Sequence, residues 1–324
     1  MRALPAKDRL TICFAHVAYR MAQHFALRQT GIKHFEVRTP EELTARLGEF
    51  DLLSVSMLWR SEYIARAPRL AFIQSISAGT DQYDREAFKS AGIRLASAQG
   101  VNAQAVAQHA MAMILALTRQ LHLARDNQVK RYWRGMISDL SRREDELTGK
   151  TLLIVGLGHI GARLADLARA FGMRVIATKR DTASAAGGTD AVFAPDQLLE
   201  LLPSADVVAL TCPLTPATER LIGEQTLAAM KPSALLVNVA RGRVVDEPAL
   251  IAALTQKRIA AAGLDCTVEE PLAATSPLWG LENVLITPHT AGETRRYEDN
   301  VIDLLLENVD RIWRGETTLR NQVV

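Results

Sequence analysis

Short apolar runs recur along the first third of the chain, at residues 10–15, 35–37, 52–55, 71–74 and 93–95, with stretches of helical character between them. Runs of this length bounded by helical segments predict the strands of a parallel sheet with helices on its faces. The same rhythm returns at 151–155, 174–178, 206–210, 234–239, 260–264 and 284–287. Six such strands are the number a dinucleotide-binding sheet needs. Between the two sets, a helical pattern rich in Ala, Met and Leu runs from Asn102, a good N-cap, to about Val129. It reads as apolar on most faces, and so as buried between domains or against a second subunit. Within it Met111 and Met113 read as core filler, and His109 and His122 as helix-surface or core residues. An amphipathic helix over 293–314 closes the pattern.

The run Thr151-Leu-Leu-Ile-Val-Gly156-Leu-Gly158-His159-Ile160-Gly161 joins a strand to a helix through glycines spaced G-x-G-x-x-G. Gly156 permits the sharp turn, Gly158 lets backbone approach a pyrophosphate, and Gly161 lets helix and strand pack closely. The N–H groups at the helix start then face the anion. His159 and Ile160 complete this turn, and Cys212, Pro213 and Ala240, at later strand ends, are further candidate cofactor contacts.

Composition narrows the class. With 324 residues, 48% hydrophobic and 23% charged, the chain is long enough for two soluble domains, and a net charge of +2 gives no reason to expect nucleic acid or an anionic membrane. The basic, then apolar N-terminus superficially resembles a secretory signal. Cys13 and His16 interrupt its short apolar run, which reads as a first strand instead. Cys13, Cys212 and Cys266 are scattered, with no metal-ligand spacing, and suit a reducing cytoplasm.

The strand at 174–178 ends in Lys179-Arg180, where an acid would accept hydrogen bonds from a ribose 2′-OH. Two cations favour a 2′-phosphate, hence NADP(H), although Asp181 follows closely and leaves NAD(H) open. Three more strand ends carry ionisable residues: Asn238-Val-Ala-Arg241-Gly-Arg-Val-Val-Asp246, Gly263-Leu-Asp265-Cys-Thr-Val-Glu-Glu270-Pro271 and Thr287-Pro-His289-Thr-Ala-Gly292. The loop Ile76-Ser-Ala78-Gly79-Thr80-Asp81 likewise follows a strand, where ligands of open α/β sheets lie.

With these motifs in this order, the chain resembles the D-isomer-specific 2-hydroxyacid dehydrogenases over essentially its full length, particularly those reducing glyoxylate or hydroxypyruvate. The resemblance implies two doubly wound parallel-sheet α/β domains, a Rossmann dinucleotide-binding domain (101–289) inserted in a flavodoxin-like substrate domain (1–100 and 290–324). It implies Arg241, Glu270 and His289 as catalytic residues: His289 as proton donor, Glu270 on the far nitrogen of its imidazole, and Arg241 on the substrate carboxylate. Such chemistry suits a keto-acid reduction, in which negative charge builds on the carbonyl oxygen. The resemblance also implies that Asp265 contacts the nicotinamide end of the cofactor. It places Ala78, Gly79 and Thr80 on the substrate carboxylate, with Trp59, in the loop Met57–Arg60, as a pocket wall that limits size. Cys266, Thr267 and Arg243 depart from commoner family patterns.

The expected activity is NADP(H)-dependent reduction of a small 2-keto acid by a cytoplasmic homodimer without the C-terminal regulatory domain of longer phosphoglycerate dehydrogenases. Phosphite dehydrogenase and an NAD(P)-sensing corepressor are the alternatives. Formate dehydrogenases usually carry glutamine where this chain has Glu270.

Overall fold

The computed structural model describes residues 2–182 and 188–324. They divide into two units, Met1–Asn102 with Thr294–Val324, and Ala103–Glu293. The chain therefore leaves the first unit after one sheet and returns to it for its last helix.

The first unit holds strands β1 (Thr11–Ala15), β2 (Lys33–Val37), β3 (Leu52–Val55), β4 (Phe72–Ser75) and β5 (Arg94–Ala96) in the order β2-β1-β3-β4-β5, all pairs parallel. This is the flavodoxin-like order. Alternate residues go to opposite faces. Ile12 and Phe14 join one core with Leu52 and Phe72, while Cys13 and Ala15 join the other with Leu53 and Ile73. A sheet covered on both faces needs strands apolar at every position, which is why these runs read as continuous. The helix Tyr297–Trp313 covers the first face with Val301, Ile302, Leu305 and Val309.

The second unit holds β6 (Thr151–Val155), β7 (Arg174–Thr178), β8 (Ala191–Phe193), β9 (Val207–Leu210), β10 (Leu235–Asn238), β11 (Ala261–Leu264) and β12 (Val284–Ile286). Their order is β12-β11-β10-β9-β6-β7-β8, again all parallel. Leu153, Val155, Val208 and Leu210 face one core; Leu152, Ile154, Val207 and Ala209 face the other. Among the described residues no helix is long and apolar enough to cross a membrane.

The elements depart from the sequence pattern in three places. The helix expected over 102–129 is two helices, Ala103–Thr118 and Leu121–Val129. Gln120 between them has φ of 51°, and the Thr118 hydroxyl turns back to donate to the Ile114 carbonyl at 2.7 Å. Only the first helix is apolar and buried; no residue of the second is. The seventh strand, β8, is too short at three residues to register in a periodicity reading, and it pairs with β7 from Ile176 to Thr178. The final helix begins at Tyr297, with Thr290 to Arg296 forming turns before it.

Candidate active site

Because all seven strands are parallel, their carboxyl ends share one edge, and β6 stands between β9 and β7, where the direction of winding reverses. Open α/β sheets bind ligands at such a switch point.

The glycine turn lies there, and its three glycines differ in what a side chain would meet. Gly156 has φ of 101°, and a Cβ on it would stand 2.6 Å from the Cα of Cys212. At Gly161 a Cβ would stand 2.7 Å from the Gly156 carbonyl oxygen, against the strand. At Gly158 it would meet nothing within 4 Å. That open side, at the uncapped start of the helix His159–Ala170, suits a pyrophosphate. The residues present thus fit a dinucleotide.

Around the turn, the Thr211 hydroxyl donates to the Gly156 carbonyl at 2.7 Å, tying the end of β9 to it. Cys212 follows, buried, and burial raises its thiol to about 11. Lys179 continues past the tip of β7, its N–H donating to Phe193 at 2.9 Å, and Arg180 beside it is exposed.

The loops of Arg241, Glu270 and His289 are built on each other. Asn238, 1% exposed at the end of β10, accepts from Ala240 N–H at 3.0 Å and donates to the Arg241 carbonyl at 3.0 Å. These bonds shape the turn that presents Arg241, whose guanidinium also donates to the Ala240 carbonyl at 2.8 Å. Gly242 next to it lies against Thr267 with no room for a side chain. Glu270 uses one carboxylate oxygen to accept from Thr267 N–H at 3.1 Å and the other to meet Nδ1 of His289 at 2.7 Å.

A carboxylate only accepts, so Nδ1 of His289 carries the proton, and Nε2 is left for chemistry. The pair is 42% and 39% exposed, open to a small molecule. His289 has φ of 56°, a left-handed backbone that a non-glycine residue holds only where its surroundings impose it. Cys266, beside Asp265, is buried with its thiol pushed up by desolvation, which fits packing and not thiol chemistry.

Asp265 is 2% exposed. Its Oδ1 accepts from the Thr287 hydroxyl at 2.6 Å, from Thr290 N–H at 3.0 Å and from Ala291 N–H at 3.2 Å, and Oδ2 lies 3.1 Å from the same Ala291 N–H. It therefore braces the turn that carries His289. Nε2 of His109, on the helix Ala103–Thr118, lies 2.9 Å from the Thr287 hydroxyl. The sequence pattern leaves His109, Asn238, Gly242 and Thr287 without roles. An Asn at a strand end and a Gly between two arginines are weak local signals, whereas His109 meets a residue 178 positions away.

In the first unit, the loop after β4 is shaped by Ser75, whose hydroxyl donates to the Ser77 carbonyl and accepts from Ser77 N–H, both at 3.1 Å. Among the described residues, the N–H groups of Gly79 and Thr80 take no part in backbone hydrogen bonding of this loop. Thr80 accepts from Arg85 through its hydroxyl at 3.3 Å. Trp59 is 7% exposed, its ring packed on Tyr63, Tyr83 and Phe88 with centroids 5.2–6.0 Å away. Apolar neighbours from the helices beside β3 and β4 draw it inward, and Met57 and Arg60 are the exposed members of that loop.

Comparison with known proteins identifies the family. Residues 111–291 match the family described as D-isomer specific 2-hydroxyacid dehydrogenase, NAD binding domain. A glyoxylate reductase of Aeropyrum pernix is 35% identical over 286 residues, 85% of this chain and 84% of that protein. A glyoxylate/hydroxypyruvate reductase B of Yersinia pseudotuberculosis is 36% identical over 297 residues, 90% of this chain and 88% of its own length. An acyclic imino acid reductase solved in complex with NADPH and D-Arg superposes with a TM-score of 0.83 at 26% identity, covering 97% of this chain and all of that one. The chain belongs to the D-isomer-specific 2-hydroxyacid dehydrogenase family and is an oxidoreductase with a nicotinamide-cofactor domain.

Proposed function

We propose that the protein reduces a small 2-keto acid, such as glyoxylate or hydroxypyruvate, with NADPH as the preferred cofactor, and gives D-stereochemistry where the product is chiral. The observation that carries this reading is the 2.7 Å contact of His289 Nδ1 with Glu270 at the edge where Arg241 and the glycine turn also lie.

When bound, the reduced nicotinamide supplies the hydride to the keto carbon. His289 gives its Nε2 proton to the carbonyl oxygen as the C=O π pair becomes an O–H bond. Glu270 holds the imidazole in the tautomer that leaves Nε2 facing substrate, and its negative charge steadies the imidazolium. Arg241 offers a planar, permanently charged fork for the carboxylate and polarises the keto group. Lys179 and Arg180 bind the 2′-phosphate.

The deciding experiment is a panel of 2-keto acids assayed with NADPH and NADH, with phosphite and formate as controls. Turnover of glyoxylate or hydroxypyruvate, lost in His289→Ala and Arg241→Ala, supports the reading. Tight cofactor binding with no turnover of any keto acid overturns it in favour of a sensor. We further propose that the active form is a homodimer. Its contact is not the buried helix Ala103–Thr118 but the stretch that follows, where Val129, Tyr132, Trp133, Met136 and Leu140 are all exposed.

A further inference from the structure

We infer that His109 is a positioning residue for the proton donor: through Thr287 and Asp265 it fixes the turn that presents His289. The inference rests on the reading of His289 given above. It adds a residue from a different element, the helix Ala103–Thr118, to the machinery of that site.

The direction of each hydrogen bond follows from the chemistry of the groups. The Thr287 hydroxyl has one proton, and the Asp265 carboxylate at 2.6 Å can only accept it. Thr287 oxygen must then accept from its other neighbour, so Nε2 of His109 at 2.9 Å is the donor. The same Nε2 is 3.5 Å from Asp265 Oδ1, so the imidazole orients the carboxylate both directly and through the hydroxyl. That single oxygen also accepts from Thr290 N–H and Ala291 N–H, just beyond His289, while Thr287 lies just before it. The chain around His289 is thus held on both sides by one carboxylate, and a left-handed backbone is maintained there. Glu270 fixes the His289 side chain; the His109–Thr287–Asp265 chain fixes its backbone.

A purely structural role would leave the conformation of His289 untouched. The test therefore follows the His289 ring in the full-length protein by 1H–15N NMR, with and without NADPH, in His109→Ala, His109→Gln and Thr287→Val. Kinetics with the best keto acid accompany it. The expected result for His109→Ala is a displaced or broadened resonance of the Glu270-bound Nδ1 proton and a kcat lowered about ten- to a hundredfold, the range that a small misplacement of a reacting group costs. KM should change less than kcat, because the chain acts through the turn that carries His289. His109→Gln keeps an N–H donor and should restore most of kcat. The inference is overturned if His109→Ala lowers only the melting temperature, with the resonance and kcat unchanged. Should that variant fail to fold, Thr287→Val carries the same readouts and an unchanged His289 resonance there overturns it equally. Absence of any wild-type turnover would instead count against the function, since the NMR readout needs no substrate.

Discussion

Gly242 and Thr267 are in such close contact that a Cβ on Gly242 would stand 1.9 Å from the Thr267 carbonyl oxygen. Gly242 follows Arg241, and Thr267 N–H donates to Glu270, so this contact sets the loop of Arg241 on the loop of Glu270, two of the residues proposed to be catalytic. Gly242→Ala cannot be absorbed by a flexible side chain, since the atoms met are backbone. Overpacking of this kind costs about 1–3 kcal/mol. The expected outcome is a kcat/KM lowered by about a hundredfold or more, from misplacement of Arg241 and Glu270, with a measurable fall in melting temperature. Unchanged steady-state kinetics in this variant would mean that the two loops are not coupled.

Glu270 acts on His289 by charge as well as by geometry. A glutamine can accept the Nδ1 proton but brings no negative charge to the imidazolium, so Glu270→Gln separates the two effects. We expect kcat for keto-acid reduction to fall by at least about tenfold, the lower part of what positioned acid–base groups supply, with KM for the keto acid changed much less. Equal losses in both parameters would place Glu270 in substrate binding instead.

The sheets, the glycine turn and the Arg241, Glu270 and His289 loops were legible in the sequence because each depends on local pattern: apolar runs of strand length, G-x-G-x-x-G spacing, ionisable residues at strand ends. What was not legible depends on contacts distant in sequence. His109 looked like a helix residue among alanines and methionines because its partner, Thr287, is 178 positions away. Trp59 has a wall position only through the family resemblance, and no local pattern shows that Tyr63, Tyr83 and Phe88 enclose its ring. The break at Gln120 escaped notice because the apolar composition up to Leu117 masked the polar face that begins after it.

The two sheets repeat one device. Asp51 accepts from Thr11 N–H at 2.9 Å and pairs with Arg69, while Asp206 accepts from Thr151 N–H at 2.8 Å and pairs with Lys231 at 2.7 Å. Each aspartate thereby ties the start of its unit's first strand to the strand that follows it in the sheet. Burial pushes the Asp206 carboxyl up, but the bonds from Lys231 and Thr151 outweigh burial and hold it below the usual carboxylate range. Its folded value is therefore depressed. Its contribution is full above the unfolded value of about 4 and is lost as pH falls through the lower folded value. Asp206→Asn keeps an acceptor for Thr151 N–H but loses the charge, so it should cost less than the about 1.5–3 kcal/mol of a full hydrogen bond to a charged group at neutral pH, and the gap from wild type should close in acid. Denaturant titrations at pH 7 and pH 3 check this; a gap that stays constant would remove the carboxylate charge from the account.

Lys179 and Arg180 give the cofactor proposal its sharpest test. Both follow the tip of β7, where a 2′-phosphate would sit in this fold. Each charge-assisted bond is worth about 1.5–3 kcal/mol, so Lys179→Ala with Arg180→Ala should raise KM for NADPH by at least about tenfold while leaving KM for NADH nearly unchanged. Parallel changes for both cofactors would show that the two cations do not read the phosphate.

Trp133 is 97% exposed, and the surrounding Tyr132, Met136 and Leu140 are exposed with it. Single apolar residues at a surface are ordinary, but a run of large ones within a dozen positions marks an interaction surface. A second copy of the chain is the occupant we propose, since two-fold pairing is the commonest assembly of soluble proteins. Burying an aromatic side chain of this size contributes about 3 kcal/mol per copy, and both copies lose it together in a symmetric contact. Trp133→Ser with Met136→Ser should therefore shift a dimer toward monomer in sedimentation velocity at micromolar concentration. The His289–Glu270 pair, held within one chain, should survive the shift, so a monomer with kcat near that of the dimer is expected. A wild-type chain that sediments as a monomer at every concentration would assign this surface to another partner.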